Sequence, residues 1–399
     1  MVTLDQIYQA AYVLKGVARK TSLIRAERFI PGKDIYLKTE NLQRTGSFKL
    51  RGAYYKISQL SEEEKNAGII ACSAGNHAQG VALAAQRMGI KSTICMPAGA
   101  PISKIEATKS YGAEICLVDG TYDDAQKRAV ELQQETGATF IHPFDDDCVI
   151  AGQGTIGLEI LDDLSDVDAV ICPVGGGGLI GGVSFAIKSL NPNVKVYGVQ
   201  AEKAAGMYES YKNKKMMTVR SAATFADGIA VKTPGETTLK LALDNVDDIV
   251  KVKEEEIAAA ILMLLERQKL ITEGAGAASV AAAMFSSLPI EGKKCACILS
   301  GGNIDVNILS RVITRGLTTS GRNAVLVIAL DDRPGQLVAV SRIIAGCGAN
   351  VISVQHEKSD ANMPIASCFL KIGMETKGFE QINEIKEKIK EAGFNIIEE

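Results

Sequence analysis

No pair among the nine cysteines has C-x-x-C spacing, no apolar run reaches membrane-spanning length, and no basic excess marks the chain. The first absence argues against paired-thiol metal and redox motifs, the second against a transmembrane helix, and the third against a nucleic-acid face. Lysine and arginine number 44 against 47 aspartates and glutamates, a formal net charge of -3. Several cysteines, such as Cys95 and Cys172, sit in apolar runs, and Cys295-Ala296-Cys297 lies in an apolar strand pattern. Buried, reduced thiols are therefore expected, and no metal site. Residues 1–21 read as an amphipathic helix rather than a signal peptide, so a cytoplasmic setting, without membrane or nucleic-acid partners, is the expectation. The chain also lacks the Gly-Lys-Ser/Thr ending of a nucleotide P-loop and a G-x-G-x-x-G in its usual dinucleotide-binding place.

What is present is a long alternation. From about residue 35 to 320, short apolar runs predict strands at 34–38, 68–72, 91–96, 114–118, 169–174, 195–200 and 294–299, with helices between them at 78–88, 103–111, 121–136 and 254–266. Strand, helix, strand argues an α/β fold with parallel sheets covered by helices. The polar stretch 317–323 reads as a linker. Beyond it the pattern changes to strand 324–330, helix 335–346, strands 350–356 and 365–373, helix 379–392 and strand 394–397. That order, βαββαβ, is the ferredoxin-like module.

Four turns carry chemistry. In Gly46-Ser47-Phe48-Lys49-Leu50-Arg51-Gly52, a lysine stands between apolar neighbours; desolvation lowers an amine's pKa and makes it a nucleophile able to condense with an aldehyde cofactor. Gly175-Gly176-Gly177-Gly178-Leu179 follows a strand and opens a helix, so its backbone N–H groups and the helix dipole form an anion site suited to phosphate. Ser73-Ala74-Gly75-Asn76-His77 also joins a strand to a helix, with Ser73 as a candidate cap and exposed N–H groups for a carboxylate. Ser300-Gly301-Gly302-Asn303 ends another strand and offers a hydroxyl to a neutral ring nitrogen. Together they match a phosphorylated aldehyde, pyridoxal 5′-phosphate.

In these motifs the chain resembles the threonine dehydratase (threonine ammonia-lyase) family of fold-type II pyridoxal-phosphate enzymes, whose relatives include serine dehydratase and serine racemase. The resemblance covers residues 1–320, and residues 324–399 resemble an ACT regulatory domain. It implies that Lys49 holds the cofactor and removes the substrate's Cα proton. Phe48 would pack on the cofactor ring and Asn76 bond its phenolic oxygen, while Gly175, Gly176, Gly177, Gly178 and Leu179 hold the phosphate and Ser300 meets the ring nitrogen. Ser73, Ala74, Gly75, Asn76 and His77 would grip the substrate carboxylate. A small subdomain, about 52–147, would be inserted in the larger one.

The implied activity is deamination of L-threonine to 2-oxobutanoate, and of L-serine, by a homodimer or homotetramer. The implied effector is isoleucine or valine, bound at Pro334, Gly335, Gln336, Leu337 and Asn350. Two departures matter. Ala74 replaces the serine that serves racemases as an acid/base on the second face, which disfavours racemisation. Gln200 and Gly206 stand where mammalian-type racemases carry metal-binding acids, so no divalent site is expected. A serine racemase/serine dehydratase-type enzyme is the alternative among enzymes, and a catalytically silent amino-acid sensor the alternative outside them.

Overall fold

The structure, a computed structural model, describes residues 1–357 and 367–397. By contacts it divides into two units, Met1–Asp305 and Val306–Glu399. In chain order the strands of the first are β1 (Leu23–Ile30), β2 (Lys33–Lys38), β3 (Ile69–Cys72), β4 (Ser92–Pro97), β5 (Glu114–Val118), β6 (Thr139–Phe140), β7 (Ala169–Pro173), β8 (Lys195–Ala201), β9 (Asp248–Val252) and β10 (Lys294–Ile298). They build two open sheets, of order β1-β2-β10-β7-β8-β9 and β5-β4-β3-β6. Every pairing is parallel except that of β1 with β2.

The central strands are the legible ones. Both β3 (Ile-Ile-Ala-Cys) and β7 (Ala-Val-Ile-Cys-Pro) are buried throughout, as parallel strands under helices must be, and so they read as unbroken apolar runs. The expected strands 34–38, 68–72, 91–96, 114–118, 169–174, 195–200 and 294–299 all form within a residue or two. Missing from the sequence reading are the edge strands β1, β6 and β9. In β1 the charged Arg25, Glu27 and Arg28 interrupt the pattern, β6 has two residues, and β9 mixes Asp248 and Lys251 into its apolar positions.

The buried helix Asp147–Asp163 also escapes the pattern, because it is apolar on nearly every side. Its glycines admit neighbours on two faces: a Cβ at Gly152 would lie 2.6 Å from the Gly52 Cα, and one at Gly154 would lie 3.0 Å from the Gly182 carbonyl. The small sheet is covered on one face by the helices Lys49–Ser58 and Asn76–Met88 and on the other by Tyr122–Thr136. The large sheet encloses its own core, in which Val170, Ile180, Val196 and Ile298 are fully buried.

The second unit begins with the helix Val306–Thr319. The contact boundary therefore falls at Asp305, earlier than residue 320, and residues 317–319 of the expected linker finish a helix. After it come β11 (Asn323–Asp331), the helix Gln336–Gly346, β12 (Asn350–Glu357), β13 (Ser367–Glu375), the helix Phe379–Glu391 and β14 (Asn395–Ile397). The βαββαβ order is present among the described residues, as an antiparallel sheet of order β12-β13-β11-β14. Residues 365 and 366 of the expected third strand lie outside the described residues. Both helices pack on one face of this sheet, with Ile328, Val340, Leu370 and Ile385 inside. No helix among the described residues is long and apolar enough to cross a membrane.

Candidate active site

Main-chain bonds zip two of the sequence motifs together. Phe48 N donates to the Ser300 carbonyl (3.1 Å) and Gly302 N to the Gly46 carbonyl (2.8 Å), with Ser47 bridging Gly301. Gly46 has φ +70°, and a Cβ there would meet Asn303 Oδ1 at 2.3 Å, so only glycine allows this approach. The lysine turn is thus pinned to the C-terminal end of β10, where open parallel sheets bind ligands.

Lys49 opens the helix Lys49–Ser58 and donates from Nζ to the Pro143 carbonyl at 2.7 Å. Its side chain is only half-buried, yet the surrounding protein desolvates it and brings its pKa down to about 8. Glu273 opposes that shift by Coulomb attraction. Phe48 lies beside it, Nζ being 5.3 Å from the ring centre.

Two residues on, Arg51 is buried and forks between Glu40 (2.8 and 2.9 Å) and Glu159 (2.6 and 2.9 Å), while Lys38 also binds Glu159 at 2.6 Å. Arg51 holds the Glu40 carboxyl below its usual range, against the cost of burial. This balanced set of charges anchors the base of the Lys49 helix.

The glycine loop leads from β7 into the helix Gly178–Leu190, with Gly177 at φ +100°. Phe144 shapes its back: a Cβ at Gly176 would lie 2.4 Å from the Phe144 ring, and one at Gly178 2.8 Å from the Phe144 carbonyl. Thr238 Oγ1 fixes the loop from a second side by donating to the Gly176 carbonyl (2.6 Å). Among the described residues, the N–H groups of Gly175, Gly176 and Gly177 and those that open the helix take no protein acceptor. Unspent donors at a helix N-terminus, with no side chain in front of them, fit a phosphate.

The Ser73 loop departs from expectation in two details. Gly75, not Ser73, is the N-cap of the helix Asn76–Met88; Ser73 Oγ instead accepts the Gly75 N–H at 3.1 Å. The His77 ring is buried and engages the Ile141 carbonyl at 2.9 Å, and burial drives its pKa down to about 3. Its imidazole is thus a neutral tether between this loop and the segment after β6.

Asn76 is held from both sides: Nδ2 donates to Glu273 Oε1 (2.6 Å) and Oδ1 accepts from Asn303 Nδ2 (2.8 Å). The sequence motifs alone assign no role to Glu273 or Asn303. For Glu273 a signal existed, a lone carboxylate in the Gly/Ala-rich stretch Gly274-Ala275-Gly276-Ala277-Ala278 that follows it. Gln200 is spent structurally, donating to the Val174 carbonyl (3.1 Å) and accepting from Tyr208 N (2.6 Å).

In the second unit, Pro334, Gly335, Gln336 and Leu337 line a surface pocket of about 290 Å³ together with Asp331, Arg333, His356 and Cys368. Asn350 is not in its lining; its amide donates to Glu375 at 3.1 Å.

A desolvated amine, an anion cradle and a strand-end hydroxyl brought together define a site for a phosphorylated aldehyde cofactor, and comparison with known proteins agrees. A family model described as "Pyridoxal-phosphate dependent enzyme" matches residues 14–301, and the chain belongs to this family. It is 50% identical to the L-threonine ammonia-lyase of Thermotoga maritima over 398 residues, 99% of either chain. Among solved structures it resembles maize serine racemase (TM-score 0.75, 34% identity, 80% of this chain and 98% of that one). It also resembles the processed form of threonine deaminase isoform 2 from Solanum lycopersicum (TM-score 0.73, 41% identity, 78% of this chain and 93% of that one).

Proposed function

We propose that this chain is a pyridoxal-phosphate-dependent lyase that deaminates L-threonine to 2-oxobutanoate and ammonia, and L-serine to pyruvate. The observation that carries the reading is Lys49, a desolvated amine with a pKa near 8 beside a cradle of unspent N–H groups. When bound, pyridoxal phosphate supplies the electron sink that makes a Cα proton acidic enough to remove. The phosphate would rest on Gly175, Gly176, Gly177, Gly178 and Leu179, the ring oxygen on Asn76 and the ring nitrogen on Ser300, with Phe48 against the ring. Ser300 offers a neutral hydroxyl rather than a carboxylate, which suits elimination of a β-hydroxyl over transamination.

With its pKa brought down to about 8, Lys49 has a neutral fraction near neutral pH that an ordinary lysine lacks, and as a positioned general base it would contribute roughly 10² to 10⁴ in rate. The N–H groups of the Ser73–His77 loop, at a helix N-terminus, would orient the substrate carboxylate. Ala74 has no proton to give from the second face, which favours elimination over racemisation. Turnover of threonine tests this: a 2-oxo acid and ammonia should appear in equal amounts. Their absence from both threonine and serine with cofactor bound would overturn the proposal, and D-serine accumulating from L-serine would favour the racemase instead.

For the C-terminal unit the proposal is an ACT-like module answering to isoleucine or valine. Supporting it are the four-stranded antiparallel sheet with both helices on one face and the pocket at Pro334–Leu337. Exposed Val325, Ile352 and Val354 on strands of that sheet support assembly as a homodimer or homotetramer. Nine free cysteines accord with a cytoplasmic setting.

A further inference from the structure

Asn76 is the one cofactor contact whose side chain could turn over without changing shape, because amide nitrogen and oxygen are nearly isosteric. Its surroundings forbid the turn. Asn303 Nδ2 donates to the Thr45 carbonyl and to Asn76 Oδ1, both at 2.8 Å. The carboxyl of Glu273 takes one hydrogen of Asn76 Nδ2 at 2.6 Å. Exchanging O and N of Asn76 would set donor against donor at Asn303. One Nδ2 hydrogen of Asn76 is left without a protein acceptor.

Glu273 is itself held in place. Its backbone N donates to the Gly301 carbonyl at 3.1 Å, next to Ser300. Its Oε1 would lie 2.4 Å from a Cβ at Gly301 and 3.0 Å from one at Gly228, so two glycines make room for it. It is 4% exposed.

We propose that Glu273 and Asn303 are positioning residues that lock the Asn76 amide in one orientation, leaving a single N–H for the cofactor's ring oxygen, and that the lock loosens with the protonation of Glu273. An ionised Glu273 is acceptor only and demands the N–H of Asn76; the neutral acid can also donate and enforces the orientation less. Burial is the largest influence on Glu273 and raises its pKa; of the groups that face it Asp227 raises it further, while the Asn76 hydrogen bond, Lys104 and Lys49 lower it, for a net value of about 8. Lys104 pairs with Asp227, so the lysine and aspartate largely offset one another. Proton release from Glu273 thus falls near working pH.

The inference rests on the pyridoxal-phosphate reading of the site and is tested without relying on turnover. The readouts are the rate at which the holoenzyme loses cofactor to dialysis and the pH dependence of the cofactor's visible absorbance. Asn303→Ala and Glu273→Ala should each release cofactor about tenfold faster, the scale of one lost hydrogen bond. Glu273→Gln keeps the shape and an acceptor but cannot ionise. It should retain cofactor within about threefold, while the absorbance change on crossing pH of about 8 disappears or moves. Unchanged release in Asn303→Ala and Glu273→Ala would overturn the lock, and a Glu273→Gln titration superimposable on that of the unaltered enzyme would overturn its pH dependence. Should the unaltered holoenzyme bind cofactor yet leave threonine intact, the lyase reading fails and the lock is still decided by these measurements.

Discussion

Lys49 and Glu273 are desolvated groups pulled in opposite directions by the same cause. Desolvation disfavours ammonium and carboxylate alike, so it lowers the pKa of the lysine and raises that of the acid, each to about 8. The lysine outcome is chemical. Lys49→Ala should abolish both the visible absorbance of bound cofactor and the release of 2-oxo acid; turnover within tenfold of the unaltered enzyme would remove Lys49 from its role. The Glu273 outcome is also thermodynamic. Between the ordinary 4.5 and about 8, the unfolded chain has released the carboxyl proton and the folded chain keeps it. Folding then takes up a proton, and stability falls as pH rises across that window. Glu273→Gln is exempt, so its Tm relative to the unaltered protein should climb from pH 4.5 towards 8; a constant difference would show that Glu273 does not titrate there.

Among the elements, the helix Lys49–Ser58 decides how well the lysine is aimed, and two features hold it. One is the ion cluster of Arg51 with Glu40 and Glu159. Removing one member leaves buried charge uncompensated, so Arg51→Ala should cost about 3–5 kcal/mol in denaturant unfolding. Glu40, whose carboxyl Arg51 holds below 4.5, contributes stability above pH 4.5 that is lost as pH falls below it. Arg51→Ala should therefore lose less stability on acidification than the unaltered protein. The other feature is the close seat of the helix Asp147–Asp163 against its neighbours. A Cβ at Gly182 would lie 2.2 Å from the Ile150 carbonyl, a contact with backbone that no rotamer change relieves. Gly182→Ala should lower stability by about 1–3 kcal/mol, read as a drop in Tm at unchanged cofactor absorbance.

For the whole molecule, the question is what the C-terminal unit adds. Every residue assigned here to cofactor or substrate lies in Met1–Asp305, and the matched maize racemase aligns over 98% of its length to only 80% of this chain. A chain ending at residue 319 should still turn over threonine, with kcat within about tenfold. Titration with isoleucine and valine should change the KM or kcat of the full chain and leave the shortened one indifferent. An equal response in both would place the effector site in the first unit.

Local patterning was enough for the central parallel strands, the positions of the four glycine- and serine-rich turns and the βαββαβ order of the tail. It could do so because buried parallel strands are unbroken apolar runs, and because glycine-rich strand-to-helix turns are written in consecutive residues. Lys49, the tetraglycine and Ser300 stand in such turns, and their positions at strand ends are legible in that way. Packing, not pattern, brings Asn76 between residues 197 and 227 positions away. It alone decided that the His77 ring turns to Ile141 and that Gly75 rather than Ser73 caps its helix. Edge strands and the wholly buried helix were also settled there, since their patterns are too mixed or too uniform to carry a period. The physical reason is the same throughout: propensity and patterning act over a few residues, whereas burial, the pairing of Glu273 with Asn76 and the pKa values that follow exist only once distant segments are packed together.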